Sequence, residues 1–511
     1  MPFARGTEPC FSWRAGKLAE DVVHISKAQT FRNVLYNSLM RGTMLTCQLL
    51  ASTVVARSFS ASDMGVVGFA NIIIGFLNHF SDCGVGVAAI RRPQLTQSNL
   101  ETAFTLKVIL GVGSFGAALL IAPFAWHFCD HPAAANVTRF LALNYFISTI
   151  GFLPQVQLTR EMNFKALVVP GVINAAVRAG LAILLVLCGW KFWAVVVADV
   201  GANLAGCIAI QTVRKIPLGF RFDWEDMREF LRFGLPLLGN GILVFLIFNL
   251  ANFLVSAKLG IAQLGYYTLA FTWGSFICGL LGDTVNSVLF PAFAAIQNDL
   301  AKMRRWYLKT VDLVAFISVV ANTALLANAH SFLVIFLGKG TDKWIPAAIT
   351  LQILCGYGII RAITEPIGNC LMARGQTKTL LHSCILVGVV QVALLFLALK
   401  AGKIEWVALA VLVAYATQAF VFVPALRREF SITLADLFQQ IWPVLPAMAA
   451  GWWATHALFS SANGSLFTLA YRGLFTAAVT ALVHGIFTGF RCFQEARELT
   501  FQKFPASLPK E

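Results

Sequence analysis

Apolar runs of about 20 residues recur along this chain, each long enough to cross a hydrocarbon core of about 30 Å. They fall at roughly 33–56, 64–88, 102–126, 138–157, 166–188, 192–213, 233–257, 264–290, 310–328, 345–371, 379–399, 404–425, 434–458 and 468–490. A segment crossing lipid must satisfy its own backbone polar groups, so each run is expected to be a helix. Little sequence is left for anything else. Charged residues make up 12% of the 511 positions, against roughly 25% in a typical soluble domain. The expected fold is an all-α integral membrane protein of about 14 transmembrane helices.

The first 30 residues are polar and mixed (Lys17, Glu20, Asp21, Lys27), with no signal peptide, so the first span is expected to direct insertion. With the N-terminus inside, inner segments hold about three times as many Lys and Arg as outer ones, which places both termini in the cytoplasm. The formal charge of +15 is therefore a topology signal, and nucleic acid is not implied. The longest inner loop, 214–232 (RKIPLGFRFDWEDMREFLR), is basic and amphipathic and reads as a linker helix on the membrane surface. The eleven cysteines lack C-x-x-C spacing and read as apolar packing residues.

The chain matches itself at an offset of 200. Val55, Gly65 and Ala70 recur as Val255, Gly265 and Ala270, within VVARSFSASDMGVVGFA and LVSAKLGIAQLGYYTLA. Asp82 likewise parallels Asp283. Six spans separate the copies, so both face the same way. That pattern belongs to parallel repeats about an axis along the membrane normal, with a site at their interface. The resulting organisation is a cytoplasmic arm (1–32), a six-helix bundle (33–213), the linker (214–232), a second six-helix bundle (233–425), and two further spans with a cytoplasmic tail (426–511).

Enzyme motifs are scarce. GVGSFG (111–116) fits G-x-G-x-x-G but lies inside a span, where small residues serve helix packing. No P-loop, H-E-x-x-H or G-x-S-x-G occurs, and no cofactor or metal is implied. The informative residues are charges inside spans, where an arginine costs roughly 2.5–3.5 kcal/mol on insertion scales. Arg178 sits mid-span in the fifth run, with Asn174 one turn away, and is read as facing a cavity. Asp199 and Asn203 share a face of the sixth. Arg361 and Glu365 share a face of the tenth, either as a neutralised structural pair or as cavity lining. Arg41 either lines a cavity or snorkels inward. Lys107 and Arg472, near span ends, are expected to snorkel. Asp82 and Asp283 either cap helices or act as polar groups of the site.

These segments together resemble a known family. VVARSFSASDMGVVGFANIIIGFLNHFSDCGVGVAAIRRPQLT is followed in order by LTREMNF (158–164), LRFGLPLLGNGI (231–242), LGYYTLAF (264–271), LFPAFAAIQNDL (289–300) and RAITEPIGNCLMARGQTK (361–378). The chain resembles the polysaccharide-transporter branch of the multidrug/oligosaccharidyl-lipid/polysaccharide exporter superfamily, the bacterial lipid-linked oligosaccharide flippases. The resemblance implies two six-helix bundles and two final helices around a central cavity in the inner membrane. It implies movement of an undecaprenyl-diphosphate-linked sugar repeat to the outer leaflet by alternating access, for exopolysaccharide, capsule or O-antigen assembly. Partners would include the polymerase and export machinery. Arg41, Arg178 and Arg361 are the residues that match its use of cations for the substrate's phosphates. Where relatives carry an acidic group in the seventh span, this chain has Ala251 and then Asn252, in NLANFL.

Membrane potential or ion antiport through Asp199, Asp283 or Glu365 would drive the cycle. Two rival readings stand beside this one. A drug/cation antiporter of the same superfamily would hold buried acids in place of arginines. A membrane polysaccharide polymerase would need catalytic groups in a sizeable outer loop.

Overall fold

The computed structural model describes the backbone of residues 27–92, 96–129, 131–161, 163–216, 219–282, 293, 296, 299–459 and 465–489. It describes the side chains of all these except 27–41, 125–129, 164, 377, 434 and 440. Among them every regular element is helical. The first half contains α1 (Lys27–Ser58), α2 (Ala61–Asp82), α3 (Val85–Arg91), α4 (Gln97–Cys129), α5 (Ala133–Leu141), α6 (Asn144–Arg160), α7 (Phe164–Leu187) and α8 (Trp193–Val213). The second contains α9 (Trp224–Leu259), α10 (Ile261–Gly274), α11 (Phe276–Gly282) and α12 (Leu300–Ala327). After short turns at Phe332–Leu337 and Asp342–Ala347 come α13 (Ala348–Ala373), α14 (Thr377–Lys400), α15 (Ile404–Ala416) and α16 (Gln418–Phe430). The chain closes with α17 (Leu434–Ile441), α18 (Val444–Leu458) and α19 (Leu466–Thr488).

Among the described residues, ten helical runs are long and apolar enough to cross a membrane, and α10 with α11, bent by 44°, makes eleven. The other three expected spans, 33–56, 138–157 and 434–458, fall on α1, α5–α6 and α17–α18. Within those, α6 has 17 residues and α18 has 15, short of the roughly 20 that cross a bilayer. Helix starts follow local chemistry. Ser60 and Asp63 form a capping box at α2, and Thr433 and Asp436 form another at α17. Asp223 caps α9 by accepting from the backbone of Glu225 and Asp226.

The linker differs from expectation. Residues 219–223 are non-helical, and 224–232 are the opening turns of α9, which runs without a break to Leu259. Its acidic face is held by α3 and α4 rather than lying as a separate surface helix. Arg92 pairs with Asp226 at 2.6 Å and with Glu229 at 3.3 Å. Gly234 packs so closely on the Cys83 carbonyl that a methyl group there would overlap it.

The repeat is visible as a reciprocal contact between α2 and α10. A side chain on Gly65 would strike the carbonyl of Ile261, and one on Gly265 would strike the carbonyl of Ala61. These are the same contact exchanged between copies, as a two-fold axis requires. Gly68 meets Thr268, its own counterpart, on that axis. The largest apolar core surrounds this contact, drawing on Phe59, Phe69, Tyr267, Trp344 and Tyr357. One end of the seam is pinned by polar groups. Arg57 Nε donates to the Phe336 carbonyl at 2.8 Å, and Trp344 Nε1 donates to that of Ala56 at 3.0 Å. Lys343 Nζ donates to the carbonyls of Arg57 at 2.8 Å and Phe59 at 3.1 Å.

Candidate functional site

The polar residues named from the sequence gather into two clusters. In the first half, α6, α7 and α8 bring together five side chains and a main-chain carbonyl. Arg178 Nη2 lies 2.7 Å from Asp199 Oδ1. Asn144 donates to the other oxygen of Asp199 at 3.1 Å and accepts from Asn203 at 3.0 Å. Asn174 donates to the Ala202 carbonyl at 3.0 Å, which ties α7 to α8. The charges cancel, yet 54% of the Arg178 side chain remains exposed. The i, i+4 spacing of Asp199 and Asn203 put them on one face, but Asn144 carried no such signal. It is found because α6 packs across α8.

In the second half, Arg361 lies on α13 with its guanidinium 4.8 Å from the centre of the Phe248 ring. Its Nε is 3.7 Å from Glu365 Oε2, and its Nη1 is 3.5 Å from the Tyr357 hydroxyl. Tyr357 and Tyr415 meet edge to face at 4.8 Å. Arg361, Glu365, Phe248 and Tyr415 line a cavity of ≈ 270 Å³ with Gln418, Asn369 and Ser383, between α9, α13, α14, α15 and α16. That is just below the range of about 300–1,000 Å³ for small-molecule sites. It suits a diphosphate-sized group better than an oligosaccharide. A quarter of the Arg361 side chain is exposed. Arginine is apt here, because a planar cation stacks on an aromatic face and still presents a fork of donors. Phe248, Tyr357 and Tyr415 had only helical spacing to mark them, which aromatic core residues share.

Two expected residues are placed only in part. Asp283 lies outside the described residues. Arg41 falls within α1, among the positions whose side chains are not described. Lys107 and Arg472 do not snorkel. Lys107 is buried, donates to the Ser81 carbonyl at 2.9 Å and pairs with Asp82 at 3.5 Å. Arg472 is buried, donates to the Phe459 carbonyl at 3.0 Å and sits over the Phe459 ring at 5.3 Å. In each case a neighbouring helix end supplies the acceptors: Ser81 and Asp82 for Lys107, Phe459 for Arg472. At the position where the sequence lacks an acid, Ala251 is buried and Asn252 has a buried side-chain oxygen without a hydrogen-bond partner among the described residues.

Residues 54–349 match the family described as "Polysaccharide biosynthesis protein". The chain belongs to this family. Among its polysaccharide biosynthesis relatives is the "Lipopolysaccharide biosynthesis protein WzxC" of Escherichia coli (strain K12), 26% identical over 358 residues, covering 68% of this chain and 71% of the relative. The "Teichuronic acid biosynthesis protein TuaB" of Bacillus subtilis (strain 168) is 26% identical over 310 residues, covering 60% and 62%. Among solved structures, a lipid II flippase, MurJ, in an inward closed conformation superimposes with a TM-score of 0.73, at 13% identity, covering 91% of this chain and all of that one. An inward-facing multidrug resistance MATE family transporter gives 0.61 at 16% identity, covering 76% and 94%. These likenesses show the fold, an all-α multi-pass membrane architecture shared with transporters. The family match takes in the Arg178 cluster and ends before Arg361.

Proposed function

We propose that this protein is a flippase that moves an undecaprenyl-diphosphate-linked oligosaccharide repeat from the inner to the outer leaflet of a bacterial inner membrane, by alternating access between its two six-helix halves. The observation that carries this reading is a half-enclosed arginine, Arg361, on a cavity inside the span region. Such a group is costly in lipid and is kept where it meets polar cargo. Arg178 offers a second cation in the other half, and Arg41 a third on α1. The naming of WzxC and TuaB for cell-surface polymer biosynthesis supports this substrate class. The excess of inner Lys and Arg supports cytoplasmic termini, which puts the Arg57–Lys343–Trp344 seam on the outer side. The two halves are 33–213 and 233–425, with two added spans after residue 426, for fourteen in all. No catalytic step is needed. The polymerase that joins repeats is the natural partner on the outer face.

The sugar head cannot cross hydrocarbon unaided, so the halves give it a hydrated path while the polyprenyl tail stays in lipid. Arginine suits the diphosphate because its fork binds oxygens in pairs. Moving about two negative charges outward at 100 mV would release on the order of 5 kcal/mol. Glu365 on the same cavity favours a second reading, a drug or cation antiporter, which would hold its cargo on the acid.

Leaflet sidedness decides between them. In cells depleted of the protein, lipid-linked repeat should accumulate where a membrane-impermeant glycosidase cannot reach it. Wild type should restore access and Arg361→Ala should not. Normal outer-leaflet delivery without the protein, with no other flippase present, would sink the reading and leave efflux in its place.

A further inference from the structure

A surface cavity of ≈ 480 Å³ lies between α3 and α9, at the far end of the run Ala61–Arg91 from the Arg57–Lys343–Trp344 seam. It is lined by Arg91, Arg92, Arg232 and Glu229, with Phe230 and Phe233 behind them. Arg92 is already engaged, with Asp226 at 2.6 Å and with Glu229 at 3.3 Å, so the one acid of the lining is taken. Arg91 and Arg232 are exposed, and among the described residues neither has a carboxylate within ion-pair distance. The Arg91 guanidinium lies over the Phe233 ring at 4.7 Å, and that of Arg92 over Phe230 at 5.8 Å. Stacking of this kind holds a planar cation in place and leaves its edge donors free for oxygens.

The neighbouring residues place the cavity at the boundary of the hydrocarbon. Phe222 and Trp224, exposed and with rings 6.1 Å apart, precede it, as aromatic side chains do at headgroup level. Deeper in the spans, Val87 of α3 and Leu235 of α9 are exposed. Val87 is one turn from Arg91, and Leu235 is one turn from Arg232. Each free arginine therefore shares a helix face with an apolar side chain nearer the membrane interior. A ligand that suits both ends carries an anionic oxygen group and a hydrocarbon chain. Beside the cavity the two helices leave no way inward, because Gly234 rests on the Cys83 carbonyl with no room for a methyl group.

We propose that this cavity is a binding site for an anionic phospholipid of the surrounding membrane, with its phosphate on Arg91 and Arg232 and its acyl chains along Val87 and Leu235. An arginine fork binds phosphate oxygens in pairs. The charge count agrees. Three arginines meet two acids, Asp226 and Glu229, which leaves one positive charge for the one negative charge of a phosphodiester. A cargo lipid docking here would find no opening into the molecule, whereas a resident lipid needs none. Such a lipid touches α3 of the first half and α9 of the second at once. The site rests on the membrane-spanning architecture and is independent of the flippase reading.

Native mass spectrometry of the full-length protein, released from detergent, tests it. The protein is offered phosphatidylglycerol and phosphatidylcholine at equal concentration, and the bound lipids are counted by mass. Wild type should favour phosphatidylglycerol on the order of 25-fold at one site, about five-fold for each free arginine. Arg91→Gln and Arg232→Gln should each lower the preference about five-fold, and the double variant should abolish it. Both side chains are exposed, so the fold should survive their loss, and the single variants decide the matter if the double variant does not fold. Arg221→Gln with Arg228→Gln removes two exposed arginines outside the cavity lining and should leave the preference unchanged. No preference in wild type, no loss in the Arg91 and Arg232 variants, or an equal loss in the Arg221 and Arg228 variant overturns the site. Two competitors check the source. Displacement by millimolar inorganic phosphate would show a free-anion site, and tighter retention of undecaprenyl diphosphate than of phosphatidylglycerol would assign the cavity to cargo. Either result overturns the phospholipid.

Discussion

Arg178 and Arg361 are both arginines inside spans, and each has a carboxylate beside it, yet their surroundings set them apart. Arg178 is fully engaged with its acid at 2.7 Å, in a chain of asparagines, and more than half of its side chain is open. Arg361 is held loosely by Glu365 at 3.7 Å, lies over the Phe248 ring and borders an internal cavity. An exposed pair is screened and contributes little. A partly enclosed cation whose acid sits further off keeps more of its field for an incoming anion. The contrast teaches that a mid-span position marks an arginine as unusual, and that its enclosure and partner distance decide how much of its charge remains for a ligand.

Four measurements press on this contrast. Arg361→Ala should have the largest effect, lowering the rate of lipid-linked repeat clearance on the order of 30-fold, about 2 kcal/mol. Arg178→Ala should lower it only about 2- to 5-fold, in keeping with an exposed pair. Equal losses would erase the distinction. Lysine sharpens it further. Arg361→Lys loses the planar stack on Phe248 and should retain about a fifth of the wild-type rate, while Arg178→Lys should stay near wild type. The smallest effect is on stability. A double-mutant cycle on Arg178 and Asp199, read by thermal unfolding in detergent, should give a coupling of about 0.5 kcal/mol that fades in high salt. A coupling above about 2 kcal/mol would show that the exposed pair is mainly structural.

Much of the architecture was legible because membrane helices announce themselves. Eleven of the predicted spans, counting α10 with α11 as one, fall on helices long and apolar enough to cross a membrane, and the offset of 200 led to the Gly65–Gly265 contact. The linker was misread because basic and amphipathic character describes both a surface helix and the first turns of a longer one. Even Pro236 does not stop α9, which runs through it from Trp224 to Leu259. Lys107 and Arg472 were misread because distance to a span end says nothing of acceptors on the next helix. The aromatic lining around Arg361 was hidden among other core aromatics.

The glycine contact has a consequence for energy conservation. Where α2 and α10 meet, main chain rests directly on main chain at Gly65 and Gly265, with no side chain between them. A file of water has no room to form at that contact, which closes one route along the α2–α10 seam by which protons or small ions would cross an energised membrane. A single added methyl group at either glycine would have to wedge the two helices apart there.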